Sequence, residues 1–343
     1  MARAALVLAC VAALVGCAKT VEQVQSPPHR VGSEIVMPVA AAQNADPFEA
    51  GRAAAETLKK TMLNAPHAVL ISECFEGEDN KKRLLKGVCS VFPSTVVFGG
   101  ATYGSFTHKG AMDRDAVALL GIAGQGISVS AALEQNLGTA GLTMEKDEAE
   151  LASRLRAAGA RLAKKIPQRS GQVLLIVMAD AHSPTNAFLV EGIQSVVGKK
   201  FPITGGSVNK NAGQTYVYFQ GRMYPQSAIA LMLGGQIEVG MSGRQAKDNA
   251  KVIETARVGA AEAKAKLKAN AFSALAFDCA GRKGKLDRLG DELAAMQGPV
   301  GRDVPLFGCY CAGEIGPADV GAKDENILSS GAGWHVMFTF LGK

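Results

Sequence analysis

Pro305-Leu306-Phe307-Gly308-Cys309-Tyr310-Cys311-Ala312-Gly313-Glu314-Ile315-Gly316 carries the pattern from which the rest of the chain can be read. A proline precedes a short apolar run, and the run ends in glycine. The same order stands at Pro93 before Val96-Val97-Phe98-Gly99-Gly100, and at Pro202 before Ile203-Thr204-Gly205-Gly206. Glycine at a strand end permits positive φ or a close approach of another backbone. Three such ends imply three copies of one structural unit.

The flanking sequence repeats in step with them. Each copy opens on a strand-like run: Glu34 to Val39, Gly126 to Ala131, and Gln236 to Met241. A helix follows. The first begins Asp46-Pro47-Phe48-Glu49, an N-cap, a proline at the first helical position and an early carboxylate. The second starts near Asp147, with Leu151, Leu155, Ala158 and Leu162 on one face. The third is expected from about Arg244 to Ala269 and is rich in alanine. Core strands come next at Ala68 to Ile71, Val173 to Val177 and Ala274 to Phe277, each ending in polar or small residues. A second helix follows each, capped by Ser183-Pro184 in the middle copy and with a Leu286, Leu289, Leu293, Met296 seam in the last. After the proline-strand-glycine run, closing strands are expected at Ala116 to Ile122, Ser227 to Leu233 and Gly333 to Leu341. Gln220-Gly221-Arg222 has the composition of a hairpin turn. The unit is therefore β-α-β-α-β-β-β. The expected fold is α/β (α+β), three such units forming mixed sheets packed together with helices on the outer faces. An open doubly wound sheet is the alternative.

Composition narrows the function classes. The 343 residues are 48% hydrophobic and only 6% aromatic, with a net charge of +6. Basic residues are interleaved with acidic ones along the predicted helices, as on a solvated face. They are not interleaved with aromatics, which argues against nucleic acid as a partner. The five histidines (His29, His67, His108, His182, His335) show no i, i+4 pair, and no Cys-x-x-Cys is present, so no metal or other cofactor is expected. No P-loop and no strand-to-helix Gly-x-Gly-x-x-Gly is found.

Several residues could carry chemistry. Asp180 and His182 could act as an acid/base pair or could simply be a solvated loop. Cys74, Cys89, Cys279, Cys309 and Cys311 could supply a reactive thiol, form disulfides or fill small buried sites. Cys309 and Cys311 should share one strand face. Arg282 and Glu314 each follow a strand that ends in small residues, and adjacent strand ends would bring them together. Arginine offers a planar fork for a carboxylate, and glutamate accepts from an ammonium. With backbone N–H groups from the glycine-bearing ends they could hold an amino acid. They could equally pair with each other. The candidate ligand-binding set is Arg282, Gly308, Tyr310, Glu314 and Asn326, with Gly99, Gly100, Gly205 and Gly206 lining equivalent pockets.

Cys279-Ala280-Gly281-Arg282, then Leu286 and Leu289-Gly290, then Gly308 to Pro317 resemble the C-terminal part of FIST sensory domains. Asp46-Pro47, Ala50-Gly51, Phe98-Gly99-Gly100 and Gly205-Gly206 are similar to the N-terminal part. The resemblance implies a FIST N-like region over 33–235 holding two units and a FIST C-like region over 236–343 holding the third. It also implies a sensor of a small ligand, an amino acid or small carboxylate among the candidates. Glu325-Asn326-Ile327-Leu328 departs from the family's His-Asn-x-Thr-like run and keeps only the asparagine. No kinase, cyclase or methyl-accepting segment is legible, so a separate signalling partner is expected.

The start of the chain has a character of its own. Arg3 precedes an apolar run, and Leu14-Val15-Gly16-Cys17 resembles a bacterial lipobox. This resemblance implies a signal peptide over 1–16, a lipid on Cys17 that anchors the chain to membrane, and a tether over 17–32. Ala18 after the cysteine implies the outer membrane, with the protein in the cell envelope on the periplasmic face. A thiol-dependent enzyme and a structural, protein-binding lipoprotein are the competing readings.

Overall fold

A computed structural model describes residues 34–210, 215–319 and 324–343. Cys17, the signal peptide and the tether lie outside the described residues. Among those described, no helix is long and apolar enough to cross a membrane.

The first unit comprises β1 (Val39–Gln43), α1 (Pro47–Thr61), β2 (Ala68–Glu73), α2 (Glu78–Cys89), β3 (Val97–Ala101), the hairpin β4 (Ser105–Thr107) and β5 (Gly110–Met112), and β6 (Ala116–Ile122). The second repeats this order as β7 (Ile127–Glu134), α3 (Met144–Lys164), β8 (Gln172–Ala179), α4 (Asn186–Val197), β9 (Ile203–Ser207), β10 (Tyr216–Phe219), β11 (Arg222–Pro225) and β12 (Ala228–Gly235). The third runs β13 (Glu238–Gln245), α5 (Asn249–Ala265), β14 (Ala271–Cys279), the short α6 (Ala280–Lys283), α7 (Leu289–Val300), β15 (Leu306–Cys311), β16 (Glu314–Gly316), β17 (Ser330–Ala332) and β18 (His335–Gly342).

Local chemistry explains most boundaries. Asp46 caps α1 by accepting from the Phe48 and Glu49 amides at 2.9 and 3.3 Å. The first strand begins at Val39, not Glu34. Upstream only Val36 bridges to Ala123, because Pro38 has no N–H to extend the ladder. The third helix starts at Asn249, where Asp248 accepts from the Lys251 amide at 3.0 Å. Arg244 instead belongs to β13, paired with β18. Helix α3 opens at Met144 and breaks its regular angles at Asp147. In the middle copy Thr185, not Ser183-Pro184, precedes the first helical residue. Gln220 and Gly221 both have positive φ, 52° and 70°, and turn β10 into β11.

The strands form three six-stranded mixed sheets, ordered β1-β6-β2-β3-β10-β11, β7-β12-β8-β9-β16-β17 and β13-β18-β14-β15-β4-β5. Four strands of each come from one unit. The last two are a hairpin lent by another: unit 2 completes the first sheet, unit 3 the second, and unit 1 the third. The sequence reading gave each unit one strand too few and did not anticipate this exchange. The inner faces of all three sheets meet in one apolar core that includes Leu70, Phe98, Ile176, Ile229, Phe277 and Met337. The outer faces are covered by α1 and α2, α3 and α4, and α5 and α7, each pair closing its own smaller core.

The lent hairpin explains the strand-end glycine of the third unit. Phe106 of β4 lies opposite Gly308 of β15, and a Cβ on Gly308 would stand 2.0 Å from the Phe106 ring. Gly99 and Gly205 occupy the same register in their sheets, opposite Tyr218 and Ile315, but there the close approach is to their own unit's core strand: with φ of 144° and 151°, a Cβ would stand 2.1 Å from the Ile71 carbonyl oxygen and 1.8 Å from that of Val177.

Candidate functional site

Register pairing superposes the units residue on residue. Glu73, Ala179 and Asp278 are equivalent, and so are the next residues, Cys74, Asp180 and Cys279. On the neighbouring turn, Asp115, Gln226 and Trp334 precede the closing strands at equivalent positions. All three are in the left-handed region, with φ of 47°, 44° and 62°. That conformation is uncommon for residues with a side chain. It turns the Gln226 amide onto Asp180 Oδ2 at 3.1 Å and the Trp334 amide onto Cys279 Sγ at 3.3 Å. The molecule therefore has three matched positions at the strand ends.

The first is a cleft of about 540 Å3. Cys74, Phe75, Glu76, Thr102, Tyr103 and Asp113 to Asp115 come from unit 1, Asn209 from unit 2 and Lys283 from unit 3. Lys283 Nζ donates to the Tyr103 carbonyl at 2.6 Å and sits 5.7 Å from the Tyr310 ring centre. Burial pulls its ammonium below the usual lysine range, opposed by Asp113. Backbone bonds seam the units here. Tyr103 and Tyr310 are joined by Tyr103 N–H to Tyr310 O at 2.8 Å, with Tyr310 N–H to Gly104 O at 2.9 Å alongside. The Asn209 amide reaches Ala101 O at 2.8 Å.

The second cleft, about 590 Å3, is lined by Thr143, Glu145, Asp180, His182, Ser183, Thr185 and Gln226 among others. At the third position the Trp334 indole occupies the place. It lies on Gly281, where a Cβ would come within 3.1 Å of the ring. Lys247 and Lys285 stand 5.9 Å from the indole centre.

Arg282 is fully buried below α6. Its Nε donates to Asp278 at 2.8 Å, and its terminal nitrogens to Glu292 at 2.7 Å, the Val252 carbonyl at 3.0 Å and Thr255 Oγ1 at 3.1 Å. Those are ion pairs with Asp278 and Glu292, and none joins Arg282 to Glu314. Burial pushes Glu292 well above the carboxylate range and raises Asp278 too. Two carboxylates on one guanidinium leave one negative charge in excess, and a proton shared between them removes it. Arg282 thus anchors α6 and sets where the next residue, Lys283, enters the first cleft.

The remaining sequence candidates are placed as follows. Glu314 is buried, its Oε2 accepting the His335 amide at 3.0 Å, and burial raises its pKa well above the usual range. Gly99, Gly100, Gly205, Gly206, Gly308 and Tyr310 are buried in strands flanked on both sides. Their backbone groups serve the ladders that the lent hairpins complete, which is why they do not open onto a ligand. Asn326 is exposed, its amide donating to Asp324 at 2.8 Å. The five cysteines among the described residues are free thiols, with Cys309 and Cys311 Sγ 3.4 Å apart on one face. Burial pushes Cys74 and Cys279 up to about 12, which disfavours the thiolate a nucleophile needs. Among the described residues no group of acidic, histidine or cysteine side chains is placed to hold a metal ion. Sequence reasoning missed Lys283, Asp113 and Asn209. The Gly281-Arg282-Lys283-Gly284 run held the signal, but the choice between its two cations was made by the fold.

The sequence matches the FIST N domain over residues 68–250 and the FIST C domain over residues 208–317. The chain belongs to the FIST family. FIST domains are sensory, ligand-binding domains of signal transduction. No curated protein matches the chain. Among solved structures, the cyanuric acid hydrolase from A. caulinodans is similar at 11% identity, with a TM-score of 0.45 over 89% of this chain and 99% of that one. A second cyanuric acid hydrolase structure is similar at 11% identity and a TM-score of 0.41, over 90% and 99%. In this FIST chain the family's Gly-Glu-Ile-Gly stretch is thus the lent strand β16, with the glycine-bearing end of β15 before it.

Proposed function

We propose that this protein is a lipid-anchored sensory or solute-binding protein of the cell envelope, and that its ligand is a small carboxylate or amino acid held in the first cleft. The observation that carries the reading is that Lys283 is brought by the third unit into a cleft walled by the other two, where Arg114 of the first unit is a second cation. The Lys283 ammonium suits a carboxylate, and Glu76, Asp113 and Asp115 at the same cleft suit an amino group. A ligand there touches all three units, so its binding energy acts on their seams. Binding that favours one arrangement of the seams shifts the population seen by a separate signalling partner.

The experiment is a thermal-shift screen of amino acids and small carboxylates. Hits should stabilise the protein, and Lys283→Ala should weaken their binding at least tenfold. A hit that Lys283→Ala leaves unaltered would remove the first cleft from consideration. The anchor is tested separately: Cys17→Ser should move the protein out of the membrane fraction, and its retention there would count against lipidation.

A further inference from the structure

The helix-covered face of each sheet ends at the outer strand of its lent hairpin, and the three ends differ. Met223 of β11, Gly331 of β17 and Ala111 of β5 occupy one register position, opposite Tyr218, Ile315 and Phe106. In the second sheet the small residue lets α4 close onto the strand. A Cβ on Gly331 would stand 2.3 Å from the Ala187 amide nitrogen. The Gln194 side chain then ties α4 to the hairpin by donating to the Ser329 carbonyl at 2.6 Å. In the third sheet Gln297 of α7 donates likewise to the His108 carbonyl, between β4 and β5. Gln194 and Gln297 are equivalent, since their own carbonyls accept the capping N–H groups of Gly198 and Gly301.

The first sheet has neither closure. The Ser90 and Ser195 hydroxyls bond back to the Gly87 and Gly192 carbonyls at 2.7 and 2.6 Å, which sets Cys89 of α2 in the place of Gln194. A thiol is too short and too weak a donor to tie a hairpin. Met223 stands where the other sheets have Gly331 and Ala111, and its longer side chain needs room between helix and strand. A groove of about 590 Å3 lies there. Leu85 and Cys89 line it from the helix, and Tyr216, Met223 and Pro225 from the hairpin. Cys89 is half-buried, whereas the other four described cysteines are buried.

Charge and edge chemistry decide what suits the groove. Glu78 accepts from Lys82 at 2.5 Å and from the Tyr216 hydroxyl at 3.0 Å. Lys86 and Arg222 also line the groove, and among the described residues neither has an ion-pair partner. With Lys82 balanced by Glu78, the lining carries positive charge in excess beside an apolar floor. β11 is an edge strand, but Arg222 and Pro225 at its two ends discourage another strand from pairing there. That disfavours an extended peptide or a second copy added edge to edge, and favours a small amphipathic anion.

We propose that this groove binds a small molecule with an apolar chain and one carboxylate, the chain over Leu85 and Met223 and the carboxylate at Lys86 and Arg222. The groove shares no residue with the first cleft, and neither reading depends on the other.

The test is calorimetric titration of the purified protein with decanoate, with decanol and decyltrimethylammonium as controls. Decanoate should bind saturably and more tightly than either control. Replacing Lys86→Ala and Arg222→Ala together should weaken decanoate about tenfold and leave decanol unaltered. Cys89 locates the site in the unaltered protein: decanoate should slow its alkylation by N-ethylmaleimide, followed by mass spectrometry of the Cys89 peptide. Absence of saturable decanoate binding, equal binding of all three amphiphiles, affinity unchanged in the double variant, or alkylation of Cys89 unaffected by decanoate would each overturn the proposal. So would a Cys89 that is unreactive in the free monomer or shielded in a dimer, which would show a groove that is closed or filled by a second copy.

Discussion

Arg282 illustrates how much a residue's role depends on what surrounds it. An exposed guanidinium beside a strand end is a ligand group; a fully buried one with two carboxylates is an anchor. Removing one partner of such a network strands the others. Arg282→Ala leaves Asp278 and Glu292 buried without a cation and should cost about 3–5 kcal/mol, read by chemical denaturation. The pH dependence has a definite sign. Glu292 is held well above its ordinary value of 4.5, so the native state keeps a proton that the unfolded chain has lost. Its contribution is complete below that ordinary value and is lost as pH rises through the raised one. Asp278, also raised, acts in the same direction. Glu292→Gln should flatten that decline in a stability-against-pH series, and an unchanged slope would mean that the shared proton is not held there. Little of this was legible. The sequence showed a cation after a strand, but its carboxylate partners sit four residues before it and ten after it, the second on another helix.

At the level of elements, the lent hairpins are the decisive feature. Buried Glu73 on β2 pairs with Lys81 of α2 at 3.0 Å, accepts the Phe75 amide at 2.7 Å, and accepts the hydroxyl of Tyr218. Tyr218 belongs to β10 of the next unit. Tyr218→Phe removes one donor from a buried carboxylate and should cost about 1–3 kcal/mol. Because the hydroxyl acts on unit 1, amide hydrogen exchange should speed up in β2 and α2, not only around β10. Loss of protection confined to unit 2 would show that the bond does not join the units. The repeat pattern of helices and core strands was readable from apolar spacing, since each element has one buried face. The hairpins were less so. β4, β5, β16 and β17 are three residues each, too short for alternation to register.

For the whole molecule, the exchange closes a ring in which every unit completes one neighbour and is completed by the other. The described residues accordingly form one compact body. Splitting the chain between 235 and 236 would leave the second sheet without β16-β17 and the third without β4-β5. The separate pieces should lack cooperative unfolding, and mixing them should restore it. A piece that unfolds cooperatively alone would show that the lent strands are dispensable. Several properties of this protein were written in the sequence alone. They are three units, the helices with their buried faces, the capped start of α1, and the family read from the last glycine-rich stretch. Each depends on residues close together in the chain, where spacing and composition act directly on local structure. Tertiary structure alone decided which hairpin joins which sheet, that Arg282 is spent on Asp278 and Glu292, and that Lys283 and Asp180 face two different clefts. Periodicity tells which face of a strand is buried but not which strand lies beside it. That choice is made by the fit of side chains such as Phe106 onto Gly308, about two hundred residues apart in sequence.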